Sequence, residues 1–393
     1  MHVDVLVVGG GPIGAVAARC AAEAGATVLL VERRDNLRLS SCCTGLVSPR
    51  TVKILGASED CVLREIRSIK LHSPNGQILN LAADHAKAVV IDRARLEQGL
   101  HVRMRDAGVD VRLGTEVVRV SDEKIIVSSS DGEEQLTAAM TVGADGPRSR
   151  IARQFDLPCP EQFVHGAQAV VEMDRHAASD TVEVFLGEAV APGFFGWAVP
   201  AEESQLRVGL GVTPPRDPSE YLDRLLAKWF PEANVISRAG GQIPISPVAR
   251  SATHSVLLVG DAAGQVKPLS GGGLYSGGVC ARIAGRIAAT TALSGQSGDR
   301  AAASYESEWR SAIGREIAFG QSMRRISGML TDHDLNALFA ACEDRELLSF
   351  LSEHADIDRF HRLPDELAVH PLLWKKVLRL LPLITSREIT EPA

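Results

Sequence analysis

The N-terminal stretch "VDVLVVGGGPIGAVAARCAAEAGATVLLVERR" constrains the fold more than any other part of the sequence. It starts with an apolar β-branched run from Val3 to Val8, passes through glycines into an alanine-rich helical pattern, and stops at Gly25 before a second β-type run, Thr27 to Val31. This succession is typical of a strand, a helix and a second strand. The chain therefore begins with a βαβ unit, which indicates the α/β fold class.

The glycines of this unit have the spacing of a phosphate-binding turn. "GGGPIG" at residues 9–14 fits G-x-G-x-x-G between the strand and the helix. In this pattern Gly9 allows the tight turn, Gly11 lets the backbone approach a pyrophosphate, and Gly14 lets the helix pack on the strand. Glu32 closes the second strand 23 residues after Gly9, where its carboxylate can accept both ribose hydroxyls. Together these features predict dinucleotide binding.

Composition excludes several other classes. The formal charge of −7 argues against a nucleic-acid partner. The 7 cysteines form neither a CxxC pair nor a regular framework, so we expect no metal site, no disulfide scaffold and a cytoplasmic location. The N-terminus lacks the features of a signal peptide, and no apolar stretch reaches the roughly 18–20 residues that span a bilayer.

The rest of the chain divides into segments with different patterns of apolar and polar residues. The helix predicted from about Arg93 to Ala107 and a hairpin turning at Asp131-Gly132 continue the first pattern. From about residue 156 to 249, short alternating runs such as "TVEVFLG" and "QLRVGLGV" predict an antiparallel sheet, after which "HSVLLVGDAAG" resumes the first pattern. We therefore predict a discontinuous Rossmann-like domain, an inserted antiparallel-sheet substrate domain and a helical C-terminal region: 1–155 with 250–300, 156–249 and 301–393.

Two later motifs indicate which dinucleotide is bound. With the N-terminal loop, "VGADG" at residues 142–146 and "LLVGDAAG" at 257–264 resemble the FAD-dependent oxidoreductases that include aromatic hydroxylases and geranylgeranyl reductases. The resemblance implies that Asp261 binds the ribitol chain of FAD, that Arg93 lies near the cofactor, and that the Val117 backbone meets the adenine. The Gly-Asp context also permits Asp261 to be a helix N-cap.

A segment of the predicted sheet resembles the geranylgeranyl reductase signature in particular. In "PGFFGWAVP", Phe195, Trp197 and Pro200 have the signature spacing, and a G-x-G follows at residues 209–211. Phe195 stands where Tyr is frequent and Val199 where Phe is frequent, which keeps the apolar character and removes a hydroxyl. Alternation along this run predicts that Phe195, Trp197 and Val199 point to one face of a strand. The resemblance implies that this aromatic face lines a substrate tunnel. The alternative is that Trp197 packs in the core.

A cysteine loop resembles the same family. In "SSCCTGLVSPR", Cys43 is the better match to the cysteine beside the flavin because Thr44-Gly45 follows it, while Cys42 remains an alternative. The resemblance also implies that Gly271 to Gly273 pass against the flavin ring. The catalytic residues assigned in this way are Cys43, Phe195 and Trp197. The FAD residues are Gly9, Gly11, Ile13, Gly14, Glu32, Arg33, Cys43, Thr44, Gly45, Arg93, Val117, Asp261, Gly273 and Leu274.

The resemblance implies reduction of isoprenoid C=C bonds in a lipid or prenyl-chain substrate. An isolated alkene needs a proton as well as a flavin hydride, and Cys43 or a bound water are the candidate proton sources. No second G-x-G-x-x-G follows a strand, so we expect an external reductant, either NADPH or a reduced ferredoxin. A flavin-dependent monooxygenase, a halogenase and a non-enzymatic flavoprotein are the alternatives.

The C-terminal segment "HPLLWKKVLRLLPLI", His370 to Ile384, mixes leucines with lysines and an arginine. Such a helix can lie in a bilayer interface, which suits a lipid substrate and peripheral membrane contact. Equally, it can be a core-packing final helix with solvated lysines. We expect a monomer.

Overall fold

The computed structural model describes residues 1–36, 43–120, 124–173, 179–202 and 204–378 and confirms the predicted α/β class. The strands are β1 His2–Val8, β2 Val28–Val31, β3 Leu46–Val47, β4 Val62–Ile66, β5 Ser68–His72, β6 Ile78–Ala82, β7 Ala88–Ile91, β8 Asp110–Arg112, β9 Glu116–Val120, β10 Ile125–Ser129, β11 Gly132–Gly143, β12 Phe163–Glu172, β13 Thr181–Phe185, β14 Gly196–Pro200, β15 Gln205–Val212, β16 Asn234–Pro244 and β17 Val256–Leu258. The α-helices are α1 Pro12–Glu23, α2 Pro49–Leu55, α3 Arg93–Asp106, α4 Arg150–Gln154, α5 Pro218–Trp229, α6 Leu274–Ser294, α7 Gly298–Met329, α8 Asp332–Ala341, α9 Arg345–His354, α10 Leu363–Ala368 and α11 Pro371–Leu378.

The first sheet carries the βαβ unit in its centre. Its order is β8-β2-β1-β11-β10-β9, and β17 pairs with β11. The strands β8, β2, β1, β11 and β17 run parallel, while β10 pairs antiparallel with the first half of the long strand β11. Because ligands of such sheets bind beyond the carboxyl ends of the strands, the turn after β1 and the turn after β17 lie at the binding edge.

Helices α1 and α6 pack closely on the first sheet and on each other. A Cβ added to Gly285 of α6 would lie 2.3 Å from the carbonyl oxygen of Ala17 in α1, so glycine permits the close approach. The small residues of both helices join the largest apolar core of the described residues. This packing fixes the N-termini of α1 and α6 near the same edge of the sheet.

The second sheet has seven strands in the order β16-β12-β15-β14-β13-β5-β6. It is antiparallel except where β13 runs parallel to β5. Strands β5 and β6 lie outside the range 156–249 that the alternating runs predict, so the sheet extends beyond the predicted insert. Helix α5 covers one face, and the three-stranded sheet β3-β7-β4 contributes Val90 and Ala88 to the apolar cluster on the other.

The C-terminal helices return the chain to both sheets. Between α9 and α10, Asp356 forms an ion pair with Arg50, and buried Asp358 pairs with Lys267 at 2.9 Å. The Ile357 side chain joins the apolar cluster of the second sheet. Within the described ranges, no helix combines the length and the apolar character needed to cross a membrane.

Candidate functional site

The turn between β1 and α1 is built from glycines with different tasks. Gly9 has φ +108°, and a Cβ there would lie 2.4 Å from the Ala144 carbonyl oxygen. A Cβ on Gly14 would lie 1.9 Å from the Gly9 carbonyl oxygen, so both positions require glycine for the fold. Gly11 differs, because no described atom lies within 4 Å of its Cβ position. Helix α1 begins there with no side-chain cap and no acidic residue in its first turn, which leaves its N–H groups for an anion.

Glu32 braces this turn from the end of β2. Its buried carboxylate accepts hydrogen bonds from the Gly10 N–H at 2.7 Å and from the Arg34 Nε at 2.8 Å. Burial favours the neutral acid, but the hydrogen bonds from Arg34 and Gly10 lower the pKa of Glu32. The carboxylate is thus ionised and keeps acceptor capacity for a ribose hydroxyl. The neighbouring Arg33 is exposed, and the Val117 side chain lies in the core.

The Cys43 thiol and Arg93 lie together. Arg93, the first residue of α3, donates from Nη1 to Cys43 Sγ at 3.3 Å and forms an ion pair with Glu97. Although burial opposes the charge, the Cys43 sulfur and Glu97 raise the pKa of Arg93 above its usual value. The Gly45 N–H also points at Cys43 Sγ, at 3.4 Å. Two donors therefore converge on this sulfur. Cys42 lies outside the described residues.

Asp261 faces the same group of residues from the turn after β17. It lies in the first turn of a 3-10 helix whose N-cap is Val259, so Asp261 is not the N-cap that the Gly-Asp context permits. Its half-buried carboxylate has no hydrogen-bond donor among the residues that the structure describes. Burial raises the pKa of Asp261 to about 6, and the charge of Arg93 opposes that rise. A carboxylate without a described hydrogen-bond donor is suited to accept hydrogen bonds from the hydroxyl groups of a ligand.

The glycine-rich stretch at the start of α6 serves more than one purpose. A Cβ on Gly277 would lie 2.9 Å from Ile13 Cδ1, and one on Gly278 would lie 2.8 Å from Leu55 Cδ2. These two glycines let α6 pack on its neighbours. Gly273 is different: its Cβ position lies 3.2 Å from Asp261 Oδ1, and α6 begins after it without a side-chain cap. Gly273, at the N-terminus of α6, therefore faces Asp261, whereas Gly277 and Gly278 serve helix packing.

The aromatic face begins at Phe195, just before β14, and continues on that strand with Trp197 and Val199. Trp197 and Val199 are buried in one cluster, and Phe195 packs at its margin. The Phe195 and Trp197 rings meet edge to face at 6.0 Å between centroids. Trp197 is only 7% exposed, so its ring is largely core, and Phe195 is the more accessible of the two. In this respect the packing interpretation of Trp197 agrees with the geometry.

Phe194 belongs to the site although the sequence reasoning did not select it. Its ring stacks on Phe195 at 4.3 Å, and the Arg324 guanidinium lies 5.2 Å from its centroid. The Gly271 Cβ position is 3.4 Å from Phe194 Cζ, so this ring joins the aromatic face to the glycine-rich stretch. Burial lowers the pKa of Arg324. Two adjacent phenylalanines gave a signal, but alternation assigned them to opposite faces.

Gln168 and Arg207 of the second sheet also escaped sequence analysis. Arg207 Nη1 donates to the Thr44 carbonyl at 2.8 Å and to the Ile91 carbonyl at 3.0 Å, and Gln168 Nε2 donates to the Cys43 carbonyl at 3.3 Å. Burial lowers the pKa of Arg207. A polar residue within the apolar run "GAQAVV" was the available signal for Gln168. The sheet thus holds the cysteine loop by its backbone.

The predicted C-terminal helix is present as α11. Leu372 is 73% exposed and Leu378 is 40% exposed, so part of its apolar face is open to solvent. Lys376 pairs with Asp344 and Glu346. The hydrogen bonds of Lys376 to these two carboxylates raise its pKa. Residues 379–384 of the predicted helix lie outside the described residues.

The site has the features that an FAD molecule requires. Two helices begin there without side-chain caps, one before Pro12 and one before Leu274. The buried Arg93 Nε and Asp145 Oδ1 lack a hydrogen-bond partner in the described part of the chain. Buried polar atoms in folded proteins are nearly always paired, so these two atoms leave room at the site for a polar group beyond the described residues. The residues present therefore fit a bound dinucleotide.

Comparison with known proteins agrees with this geometry. Residues 2–318 match the family of the FAD binding domain. Digeranylgeranylglycerophospholipid reductase 2 of Methanothermobacter thermautotrophicus is 32% identical over 368 residues, which cover 89% of this chain and 94% of the relative. A crystal structure of a geranylgeranyl bacteriochlorophyll reductase-like protein from Thermoplasma acidophilum superimposes with a TM-score of 0.83 at 21% identity, covering 96% of this chain and 99% of that one.

A flavin monooxygenase shares the fold at greater distance. The p-nitrophenol 4-monooxygenase of Pseudomonas putida gives a TM-score of 0.70 at 17% identity, covering 89% of this chain and 97% of that one. The two reductase comparisons above therefore confirm the resemblance to geranylgeranyl reductases. The chain belongs to the FAD binding domain family and, within it, to the digeranylgeranylglycerophospholipid reductase family.

Proposed function

We propose that this protein is an FAD-dependent reductase that saturates C=C bonds of a geranylgeranyl-type isoprenoid chain, in membrane lipid biosynthesis. The observation that carries the proposal is the hydrogen-bonded connection between the signature residue Trp197 and the cysteine loop. Trp197 donates to Gln168, which donates to the Cys43 carbonyl, so the aromatic face and the candidate flavin site form one unit. The family membership supports the same conclusion.

The residues of the site divide the binding of FAD among them. The open backbone at Gly11 receives the pyrophosphate, Glu32 accepts from the ribose, and Asp261 accepts from the ribitol hydroxyls. With FAD bound, the N–H groups of Gly273 and Leu274 would be available to the electron-rich edge of its ring. When bound and reduced, FAD supplies the hydride.

The other half of the reaction is the proton. An isolated alkene has no carbonyl to take up charge, so a proton donor must lie within reach of the double bond as positive charge develops. Cys43 is the proposed donor or relay, because its sulfur lies between Arg93 and the cysteine loop backbone. The aromatic face holds the chain in place and excludes water, with Phe195 as its accessible ring and Trp197 packed behind it. The electrons come from an external donor, NADPH or a reduced ferredoxin.

The exposed apolar face of α11 supports peripheral contact with a membrane. Leu372 and Leu378 are exposed, and Lys375 lies on the same side of the helix. This arrangement is suited to the interface of an anionic bilayer. A lipid substrate would be taken from that surface.

The experiment that tests the function uses the purified holoprotein. The bound flavin is reduced with dithionite without oxygen, a geranylgeranyl lipid is added, and the product is analysed by mass spectrometry. We expect a gain of two hydrogens for each double bond reduced. A gain of oxygen under air would instead identify a monooxygenase, and a purified protein without flavin would refute the proposal.

A further inference from the structure

Gln168 lies where three strands of the second sheet meet the cysteine loop. It sits on β12, is 4% exposed, and makes two side-chain hydrogen bonds. Its Oε1 accepts from the Trp197 indole Nε1–H at 3.2 Å, and its Nε2 donates to the Cys43 carbonyl oxygen at 3.3 Å. The side chain therefore bridges the aromatic face to the peptide of the proposed proton donor.

The chemistry of the two partners fixes the orientation of this amide. An indole N–H can only donate, and a backbone carbonyl can only accept. The bridging side chain must then accept at one end and donate at the other, which a carboxamide does and which neither a carboxylate nor an apolar side chain does. Gln168 is thus required as an amide and not merely as a filler of that volume.

The sheet is built to let the indole reach this amide. Gly209 of β15 pairs with Gln168 on one side and with Trp197 on the other, so the three residues form a row across adjacent strands. A Cβ on Gly209 would lie 2.7 Å from Trp197 Cζ2. The absent side chain leaves the space that the indole crosses. The first glycine of the signature G-x-G therefore serves the contact between Trp197 and Gln168.

We propose that Gln168 is a positioning residue that fixes Cys43 relative to the aromatic face that receives the substrate. This inference rests on the proposed function, in which Cys43 handles the proton and the aromatic face contacts the chain. The Cys43 carbonyl and sulfur belong to the same residue, so the hydrogen bond from Gln168 anchors the backbone from which the sulfur reaches Arg93. Loss of the amide releases that residue from one of its anchors.

The test compares Gln168→Met and Gln168→Glu in the FAD-loaded protein. Methionine keeps the approximate volume without either hydrogen bond, and glutamate accepts from Trp197 but repels the Cys43 carbonyl. The matched control is Gln242→Met on β16 of the same sheet, since Gln242 also bridges two side chains, Arg148 and His165, neither of which belongs to the cysteine loop. The first readout is the alkylation of Cys43 by iodoacetamide across pH, followed by peptide mass spectrometry.

We expect both Gln168 variants to retain FAD, to shift the pH profile of alkylation, and to change its rate by about fivefold or more, because thiol reactivity follows the groups around the sulfur. With the lipid, kcat falls by about tenfold to a hundredfold and KM changes by less than about twofold. For Cys43 alkylation, Trp197→Phe combined with Gln168→Met has no larger effect than Gln168→Met alone, since both changes break one bridge.

An alkylation profile and a kcat like those of Gln242→Met would overturn the inference. If Gln168→Met does not fold, Gln168→Glu and Trp197→Phe provide the same comparison, and unaltered Cys43 alkylation in them is equally decisive. The alkylation measurement needs no lipid. A wild-type protein that reduces no isoprenoid would therefore refute the proposed function, while the effect of Gln168 on Cys43 would still be measured.

Discussion

The glycines of the turn after β1 and those at the start of α6 look alike in sequence but meet different surroundings. Gly11 has no described atom within 4 Å of its Cβ position, whereas a Cβ on Gly278 would lie 2.8 Å from Leu55 Cδ2. The first is open toward the candidate ligand, and the second is filled by a neighbouring helix. Glycine density therefore marks close approach, but only the structure tells whether a ligand or a side chain approaches.

The largest expected effect is at Gly14, where the neighbour is backbone. A Cβ there would lie 1.9 Å from the Gly9 carbonyl oxygen, so Gly14→Ala forces helix and strand apart. We expect the free energy of unfolding to fall by about 3 kcal/mol or more, with loss of FAD. Urea denaturation of the apoprotein measures the change. A variant as stable as wild type would contradict the packing that we describe for this turn.

The next effect is at Asp261, where the main expected loss is in ligand binding. Asp261→Ala removes a carboxylate that no described residue uses as a hydrogen-bond acceptor. We expect FAD affinity to fall by about tenfold to a hundredfold, the value of one or two charged hydrogen bonds, and the purified protein to lose its yellow colour. Flavin absorbance and titration with FAD measure this. A fully yellow Asp261→Ala protein would refute the assignment.

A reciprocal pair of variants sharpens the comparison between the two glycine loops. Gly11 has φ −67°, which any residue adopts, so Gly11→Ala should leave the stability of the apoprotein unchanged. It should lower the affinity for FAD by about tenfold. Gly278→Ala should lower the free energy of unfolding by about 1–2 kcal/mol, because crowding at Leu55 exceeds the gain in helix propensity. It should leave FAD affinity unchanged. If Gly11→Ala and Gly278→Ala changed both stability and FAD affinity to the same extent, the assignment of one glycine to ligand binding and the other to packing would be wrong.

The smallest effect concerns pH. The folded pKa of Asp261, about 6, lies above the unfolded value near 3.9, so the stability it contributes is present below about pH 4 and is lost as pH rises through 6. Asp261→Asn stays neutral. We expect the free energy of unfolding of the Asp261→Asn apoprotein, measured by urea denaturation, to rise by about 1 kcal/mol relative to wild type as the pH increases from 4.5 to 7.5. A constant difference across that range would show that Asp261 is not desolvated.

Local patterns predicted the cofactor half of the molecule well. The strand, glycine turn and helix from Val3 onward, and the hairpin at Asp131-Gly132, are each determined by neighbours in sequence, and the structure has them as β1, α1, β10 and β11. The α/β class followed from them. Alternation also predicted that Phe195 and Trp197 share one face of their strand.

Long-range contacts account for what sequence analysis missed. Gln168 and Arg207 reach the cysteine loop across 125 and 163 residues, and no periodicity encodes such a pair. Strands β5 and β6 escaped notice because their side chains are largely half-buried or exposed, which weakens the alternation. The same limit applies to Gly278, whose partner Leu55 lies on another helix.

The central claim is that this chain transfers hydrogen from reduced FAD to an isoprenoid double bond. The most direct measurement is a single turnover without oxygen, in which stoichiometrically reduced holoprotein is mixed with a geranylgeranyl lipid. Flavin absorbance is followed, and the mass of the lipid is measured by mass spectrometry. The account predicts one flavin oxidised for each double bond lost, with a gain of two hydrogens. Flavin that stays reduced until air is admitted, followed by a gain of oxygen in the lipid, would contradict it.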